Sequence, residues 1–358
     1  MRPVRTTTWT LRQPGRGPQK PSTGSVVYAA RMTSQPLRLG RTFAPVGLGA
    51  WQLGADWGDV DEAAARATVN AALDAGVDFI DTADVYGDGR SERVIGSVLR
   101  SRSEGDRVFV ATKMGRRGPL DPQVYTLANF REWIDRSRTN LGVETLGLVQ
   151  LHTPPTPVFR DDRVWDDLDT LVDEGRIAAY GVSVETVAEG LTAISRAGTA
   201  SVQVIVNMFR QKPLEALLPA AADKGVAVIA RIPLASGLLS GKYHESTVFS
   251  ADDHRNFNRD GSAFDVGETF AGVDFKAGLR AVEALRPLVP AGMTMAQFAL
   301  RWVLMQPGVT VVIPGARNVE QAQANAAAAA LPPLPAQLLL QIQQVYDDQI
   351  RVLVHDRW

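Results

Sequence analysis

Residues 62–87 read EAAARATVNAALDAGVDFIDTADVYG, and the reading of this stretch decides the fold. Glu62–Ala75 carries an Ala/Val/Leu face at helical spacing. After Gly76, the run Val77–Asp81 has the length of a buried parallel strand, which is apolar on both faces and does not alternate. Polar residues then gather where the strand ends: Asp81, Asp84 and Tyr86. Outward from this unit the pattern repeats. Further strands are predicted at Val46–Leu48, Val108–Thr112, Leu146–Leu151, Ala178–Val182, Val202–Val206, Val226–Ala230 and Val309–Ile313. Helices are predicted over Leu127–Leu141, Val164–Glu174, Val187–Ala197 and Leu214–Lys224. Alternating βα units imply a parallel sheet with helices outside it. Eight units fit an α/β chain closed into a (β/α)8 TIM barrel; an open doubly wound sheet is the rival. No G-x-G-x-x-G follows the first strand, so the dinucleotide fingerprint of the open sheet is missing.

Two connections are long. The segment from Ser236 to about Val273 is rich in Asp, Gly, Asn, Phe and Arg. In a barrel it lies at the C-terminal face, where sites are built. Pro335–Trp358 has a helical period through Leu338, Ile342 and Tyr346, which predicts an extra C-terminal helix packed outside the barrel and a short tail. At the other end, residues 1–35 contain no acidic residue and no helical or strand period. Such a composition cannot offset its ordering entropy, so a disordered extension is expected, with the barrel domain spanning 36–358 and Met32 as the functional start. The extension lacks the apolar core of a secretory signal, although an acid-free, Arg-bearing leader is also compatible with an organelle transit peptide.

The whole chain has 358 residues, with 38 Lys+Arg against 39 Asp+Glu and a net charge of −1. That balance argues against nucleic acid or an anionic membrane as the main partner. There is no cysteine, which excludes disulfides, thiolate metal sites and a catalytic thiol. No apolar run approaches the ~18 residues of a membrane span. A cytoplasmic location is expected.

In a barrel, polar groups at strand C-termini are the catalytic candidates. Strand two delivers Asp81 and, beyond it, Tyr86; strand three ends at Lys113, strand four at His152 and strand five at Ser183; strand six carries Gln203. Each has a plainer reading: Asp81 as a loop cap, Tyr86 as a rim aromatic, Lys113 as a surface pair, His152 as a structural histidine. Their placement on adjacent strands points instead to one chemistry. A free phenol is a poor acid at pH 7. An ammonium ~4 Å away, at an effective dielectric of ~20, contributes roughly 4 kcal/mol towards the phenolate, while burial works the other way. An Asp beside the Lys keeps it charged, and a neutral His can donate to a carbonyl oxygen. Together they suit protonation of a carbonyl oxygen while hydride arrives at its carbon.

At this point the sequence resembles the aldo-keto reductases. The matching stretches are GVDFIDTADVYGDGRSERVIG (Gly76–Gly96), VFVATKMG (Val108–Gly115), LGLVQLHTP (Leu146–Pro154), IAAYGVS (Ile177–Ser183), SVQVIVNMF (Ser201–Phe209), ARIPLASGLLSGKY (Ala230–Tyr243) and VVIPGARNVEQAQAN (Val311–Asn325). GLLSGKY and the VH-x-RW ending resemble a bacterial branch. The resemblance implies a (β/α)8 barrel that reduces aldehydes and ketones with a nicotinamide cofactor, NADPH rather than NADH, and without metal. Tyr86 is then the proton donor, Lys113 lowers its pKa, Asp81 pairs with Lys113, and His152 orients the carbonyl. Ser183 and Gln203 match positions that hold the nicotinamide carboxamide. Arg231 falls where many members stack a Tyr on the nicotinamide ring, and a planar guanidinium can stack there too. Leu238, Ser240 and Lys242 match the pyrophosphate segment; Gly315, Arg317, Gln321 and Asn325 match the adenosine end, and Trp51 borders the cofactor and substrate.

The sequence also departs from the family. Val184 stands where many members have Asn, and Val206 where related chains often have Tyr. Gly315 and Ala316 replace a Lys-Ser, which leaves Arg317 as the partner for a 2′-phosphate. The substrate, a small carbonyl compound, is expected to meet Ala50, Trp51, Trp57, Tyr86, the loop from His152 to Arg163 and the long loop after strand seven. A nucleotide-binding regulatory or scaffold barrel is the alternative from another class, and a Lys113 Schiff-base aldolase a third reading.

Overall fold

The computed structural model describes residues 36–54, 61–103 and 105–358. The expectations for residues 1–35 and for Trp57 fall outside them. Eight strands follow in chain order: β1 (Leu48–Gly49), β2 (Phe79–Asp81), β3 (Phe109–Met114), β4 (Leu148–His152), β5 (Tyr180–Ser183), β6 (Thr199–Ile205), β7 (Ala227–Arg231) and β8 (Val311–Val312). All neighbours pair in parallel, in the order β1 to β8. Parallel bridges Val46↔Val312 and Gly49↔Gly315 join the last strand to the first, so the cylinder closes. Twelve α-helical segments surround it among the described residues: α1 (Glu62–Asp74), α2 (Arg90–Arg100), α3 (Leu127–Leu141), α4 (Asp162–Asp173), α5 (Val187–Ile194), α6 (Leu217–Asp223), α7 (His254–Phe257), α8 (Phe275–Leu285), α9 (Met295–Leu304), α10 (Val319–Ala327), α11 (Ala336–Gln349) and α12 (Arg351–Val354).

The expected strands are present, but most begin a residue or two later than their apolar runs. Val77 and Val108 are approach residues, and β1 is only two residues long, because hydrogen bonding rather than apolar character sets the strand's length. Several helices start where a side chain supplies a cap. Asp61 accepts from the Ala64 amide at 2.7 Å, and Ala65, Thr68, Val69 and Ala72 of α1 turn inward. Thr126 caps α3, and Gly142 closes it at φ +73°.

Inside the barrel the side chains sort by height. Phe79, Ala111, Leu148, Ile229, Val311 and Ile313 form an apolar layer, with Leu39 and Phe43 packed against it. Side chains two residues further along β2, β3 and β4 point the same way. They are Asp81, Lys113 and Gln150, so the next layer up is polar. Two β-branched residues that leave this rim, Thr153 after β4 and Ile232 after β7, hold φ +49° and +52°. Such conformations are costly and cluster at functional sites.

The C-terminal segment departs from the expected plain tail. Leu339, Ile342 and Tyr346 bury the inner face of α11, and the chain then returns to the long loop. The Trp358 indole N–H donates to Asp265 at 3.0 Å, and the Arg210 guanidinium lies 3.6 Å from the ring centre.

Candidate active site

Lys113 is the hub of the polar layer. Its side chain is 1% exposed. Its ammonium donates to Asp81, to the Thr82 carbonyl at 2.8 Å and to the Tyr86 hydroxyl at 3.3 Å. Asp81 is held in turn: its second oxygen accepts from Gln203 at 2.8 Å and from Gln150 at 3.3 Å. Gln203 therefore braces the Asp81 carboxylate as well as bordering the cavity. Tyr86 lies between Trp51 and His152, with ring centres at 6.0 and 5.9 Å. Gly87, at φ +56°, allows the chain to turn after it; a Cβ there would stand 2.1 Å from the Gly54 carbonyl oxygen.

The electrostatics correct one expectation. Burial opposes charge on Lys113, but Asp81 and Tyr86 outweigh it and hold the ammonium above its ordinary range. For Tyr86 the balance goes the other way. Burial pushes the phenol up, Lys113 pulls it down, and the net direction is upward rather than the lowering expected. The phenol is protonated at neutral pH, which is the form a proton donor needs, and the neighbouring Lys113 charge acts in favour of the phenolate. His152 is held well below 6.5 by burial, then by Arg116, Lys113 and Arg231, so it is a neutral imidazole.

A cavity of about 440 Å³ opens over this cluster and extends into a long groove, within the size range of small-molecule sites. Ala50, Trp51, Asp81, Tyr86, His152, Ser183, Gln203 and Arg231 line its inner part. Ser240, Lys242, Gly315, Arg317, Gln321 and Asn325 line the outer part, where Asn318 caps the start of α10. Arg317 is exposed, with its backbone amide bonded to the Gln321 side chain at 2.9 Å, and Asn325 donates to the Gly315 carbonyl at 3.1 Å. Two expected contacts differ. Leu238 is not among the lining residues; it is buried, with its side chain packed at Gly278 of α8. The loop after His152 also stays out of the cavity, because Val158 and Phe159 are buried in the helical layer.

Other lining residues were not anticipated. Glu268, from the long loop, pairs with Arg116 at 3.0 Å and lies 3.6 Å from Arg231. Behind the wall, outside the lining, Glu185 pairs with Arg231 at 2.9 Å. His254 stands 5.1 Å from Trp51. Gln150 was legible in principle, since it lies two residues before His152 on the same strand face; nothing local marks Glu268.

The groove fits a dinucleotide on its own terms. It is continuous from the Lys113–Tyr86 pair to a helix N-terminus, a setting that favours phosphate. Polar atoms wait in its wall: Gln52 Oε1 and Arg231 Nε are buried without a hydrogen-bond partner.

Residues 45–347 match the sequence profile of the aldo/keto reductase family. Aldo-keto reductase YhdN of Bacillus subtilis is 32% identical over 285 residues, covering 78% of this chain and 83% of that protein. A probable voltage-gated potassium channel subunit beta of Arabidopsis thaliana is 28% identical, covering 86% and 94%. Among solved structures, the glycerol dehydrogenase AKR11B4 of Gluconobacter oxydans superposes with a TM-score of 0.70 at 28% identity, covering 90% and 95%. A closed eight-stranded barrel, an Asp–Lys–Tyr cluster with a neutral His at its mouth and a profile match over most of its length place this chain in the aldo/keto reductase family of oxidoreductases.

Proposed function

We propose that the protein is an NADPH-dependent carbonyl reductase with Tyr86 as its general acid. The observation that carries this reading is the Lys113 ammonium shared between Asp81 and the Tyr86 hydroxyl. When bound, the reduced cofactor supplies hydride to the carbonyl carbon. Tyr86 gives its proton to the carbonyl oxygen and is left as a phenolate beside Lys113. Asp81 keeps Lys113 charged, and neutral His152 orients the oxygen by hydrogen bonding. Ser183 and Gln203 hold the carboxamide, Ser240 and Lys242 the pyrophosphate, and Gln321 and Asn325 the adenosine. Arg317 selects the 2′-phosphate. The substrate is a small carbonyl compound bordered by Trp51 and Ala50. No helix among the described residues is long and apolar enough to cross a membrane.

The test is NADPH consumption by the full chain over a panel of aldehydes and ketones, repeated with NADH. Turnover that favours NADPH supports the reading. The similarity to a channel beta subunit keeps a regulatory barrel as the second reading; tight NADPH binding with no turnover on any carbonyl would favour it.

A further inference from the structure

A second, smaller cavity of about 120 Å³ opens beside the reacting pair. Tyr86 and His152 border it, and Trp51, Val85 and Phe264 give it apolar walls. Its remaining lining, among the described residues, is one ion pair, Arg116 with Glu268 at 3.0 Å. The proposed chemistry uses neither residue.

Arg116 follows β3 and is held along one edge of its guanidinium. Its Nε donates to the His152 carbonyl at 3.0 Å, and its Nη2 donates to Glu268 and to the Thr153 hydroxyl. Thr153 is the residue at φ +49°, so the strained turn after β4 supplies an acceptor that sets the plane of the guanidinium. The other terminal nitrogen, Nη1, has no hydrogen-bond partner among the described residues. Glu268 is also fixed from a second side by Arg231, 3.6 Å away.

A group that enters this pocket therefore meets a guanidinium with N–H still to give and a carboxylate next to it. An alkyl group takes water from that guanidinium and returns no hydrogen bond, which is costly for a charged donor. A carboxylate is attracted by Arg116 and repelled by Glu268. A hydroxyl accepts from the one and donates to the other. The volume holds about four water-sized groups, which keeps the compound short.

We propose that Arg116 and Glu268 form a hydroxyl-reading subsite, and that the substrate is a short hydroxy-aldehyde or hydroxyketone. The inference rests on the reductase reading above and names the substrate class of that same site.

Reduction by the full chain with NADPH is measured on pairs that differ only in OH for CH3: hydroxyacetone and butan-2-one, 4-hydroxybutan-2-one and pentan-2-one, 3-hydroxybutanal and 3-methylbutanal. The readout is the ratio of kcat/KM within a pair, compared between wild type and variants, because intrinsic reactivity and any general loss of loop order cancel in that comparison. The wild type favours the hydroxyl member of at least one pair by about tenfold or more. Arg116→Met loses that preference, and Arg116→Lys, which keeps the charge without the fork, loses part of it. Glu268→Gln, which keeps the size and removes the anion, raises kcat/KM for 4-oxopentanoate relative to pentan-2-one by about tenfold. No hydroxyl preference in any wild-type pair, a ratio unchanged in both Arg116 variants, or no gain for 4-oxopentanoate in Glu268→Gln overturns the inference and leaves the reductase reading intact. Absence of reduction of every one of these compounds with either NADPH or NADH overturns both.

Discussion

The Lys113 ammonium lies 3.3 Å from the Tyr86 hydroxyl and pairs on its other side with Asp81, all beneath one cavity. That sharing makes the pair interdependent. Asp81 supplies the counter-charge that keeps a fully buried amine protonated, and in the proposed mechanism the amine favours the phenolate at the moment Tyr86 loses its proton.

Asp81→Asn therefore acts through Lys113. Burial of the amine is no longer opposed by the carboxylate, and Lys113 tends to the neutral form at pH 7. We expect kcat to fall by at least about 10²-fold and stability to drop by roughly 3–5 kcal/mol, because one partner of a buried pair is left uncompensated. Turnover and the urea midpoint of the variant check both.

Asp84 gives a pH prediction of opposite character. Both its carboxyl oxygens are buried without a hydrogen-bond partner, and burial, with Glu92 nearby, raises it to about 7. A carboxyl raised in the folded state costs stability as pH rises from about 4 to about 7, the reverse of a salt-bridged acid. Three pK units correspond to about 4 kcal/mol. Asp84→Asn should raise the melting temperature at pH 8, with the gain shrinking towards zero near pH 4. Melting curves across that range check the sign.

Arg317→Ala should weaken NADPH by roughly 10–100-fold, the range for losing a hydrogen bond to a charged group, and NADH little. Dissociation constants for the two cofactors decide it; equal weakening would remove Arg317 from the 2′-phosphate.

Trp358 ties the C-terminus to the loop that carries Glu268, through Asp265 and Arg210. Trp358→Ala should cost about 3–5 kcal/mol and raise the KM for the carbonyl substrate, because the loop wall loses its brace. Thermal melts and steady-state kinetics on one preparation test both effects.

The sequence made some of this readable for a physical reason. Buried parallel strands are short and apolar, so Asp81, Lys113 and His152 stand out at their ends, and a closed barrel brings strand ends together. The rest required tertiary structure. Glu268 belongs to a loop without period, and its meeting with Arg116 and Arg231 spans 152 residues in one case. Leu238 sits in a stretch expected from the resemblance to follow the pyrophosphate, yet its side chain packs against α8. The upward shift of Tyr86 was decided by burial, which no spacing reports.

The central claim is that the proton for the carbonyl oxygen comes from Tyr86. The most direct measurement is carbonyl reduction by Tyr86→Phe, with NADPH binding determined on the same sample. The account predicts turnover reduced by about 10²–10⁴-fold and an NADPH dissociation constant essentially unchanged. Reduction at the wild-type rate with cofactor bound would contradict it.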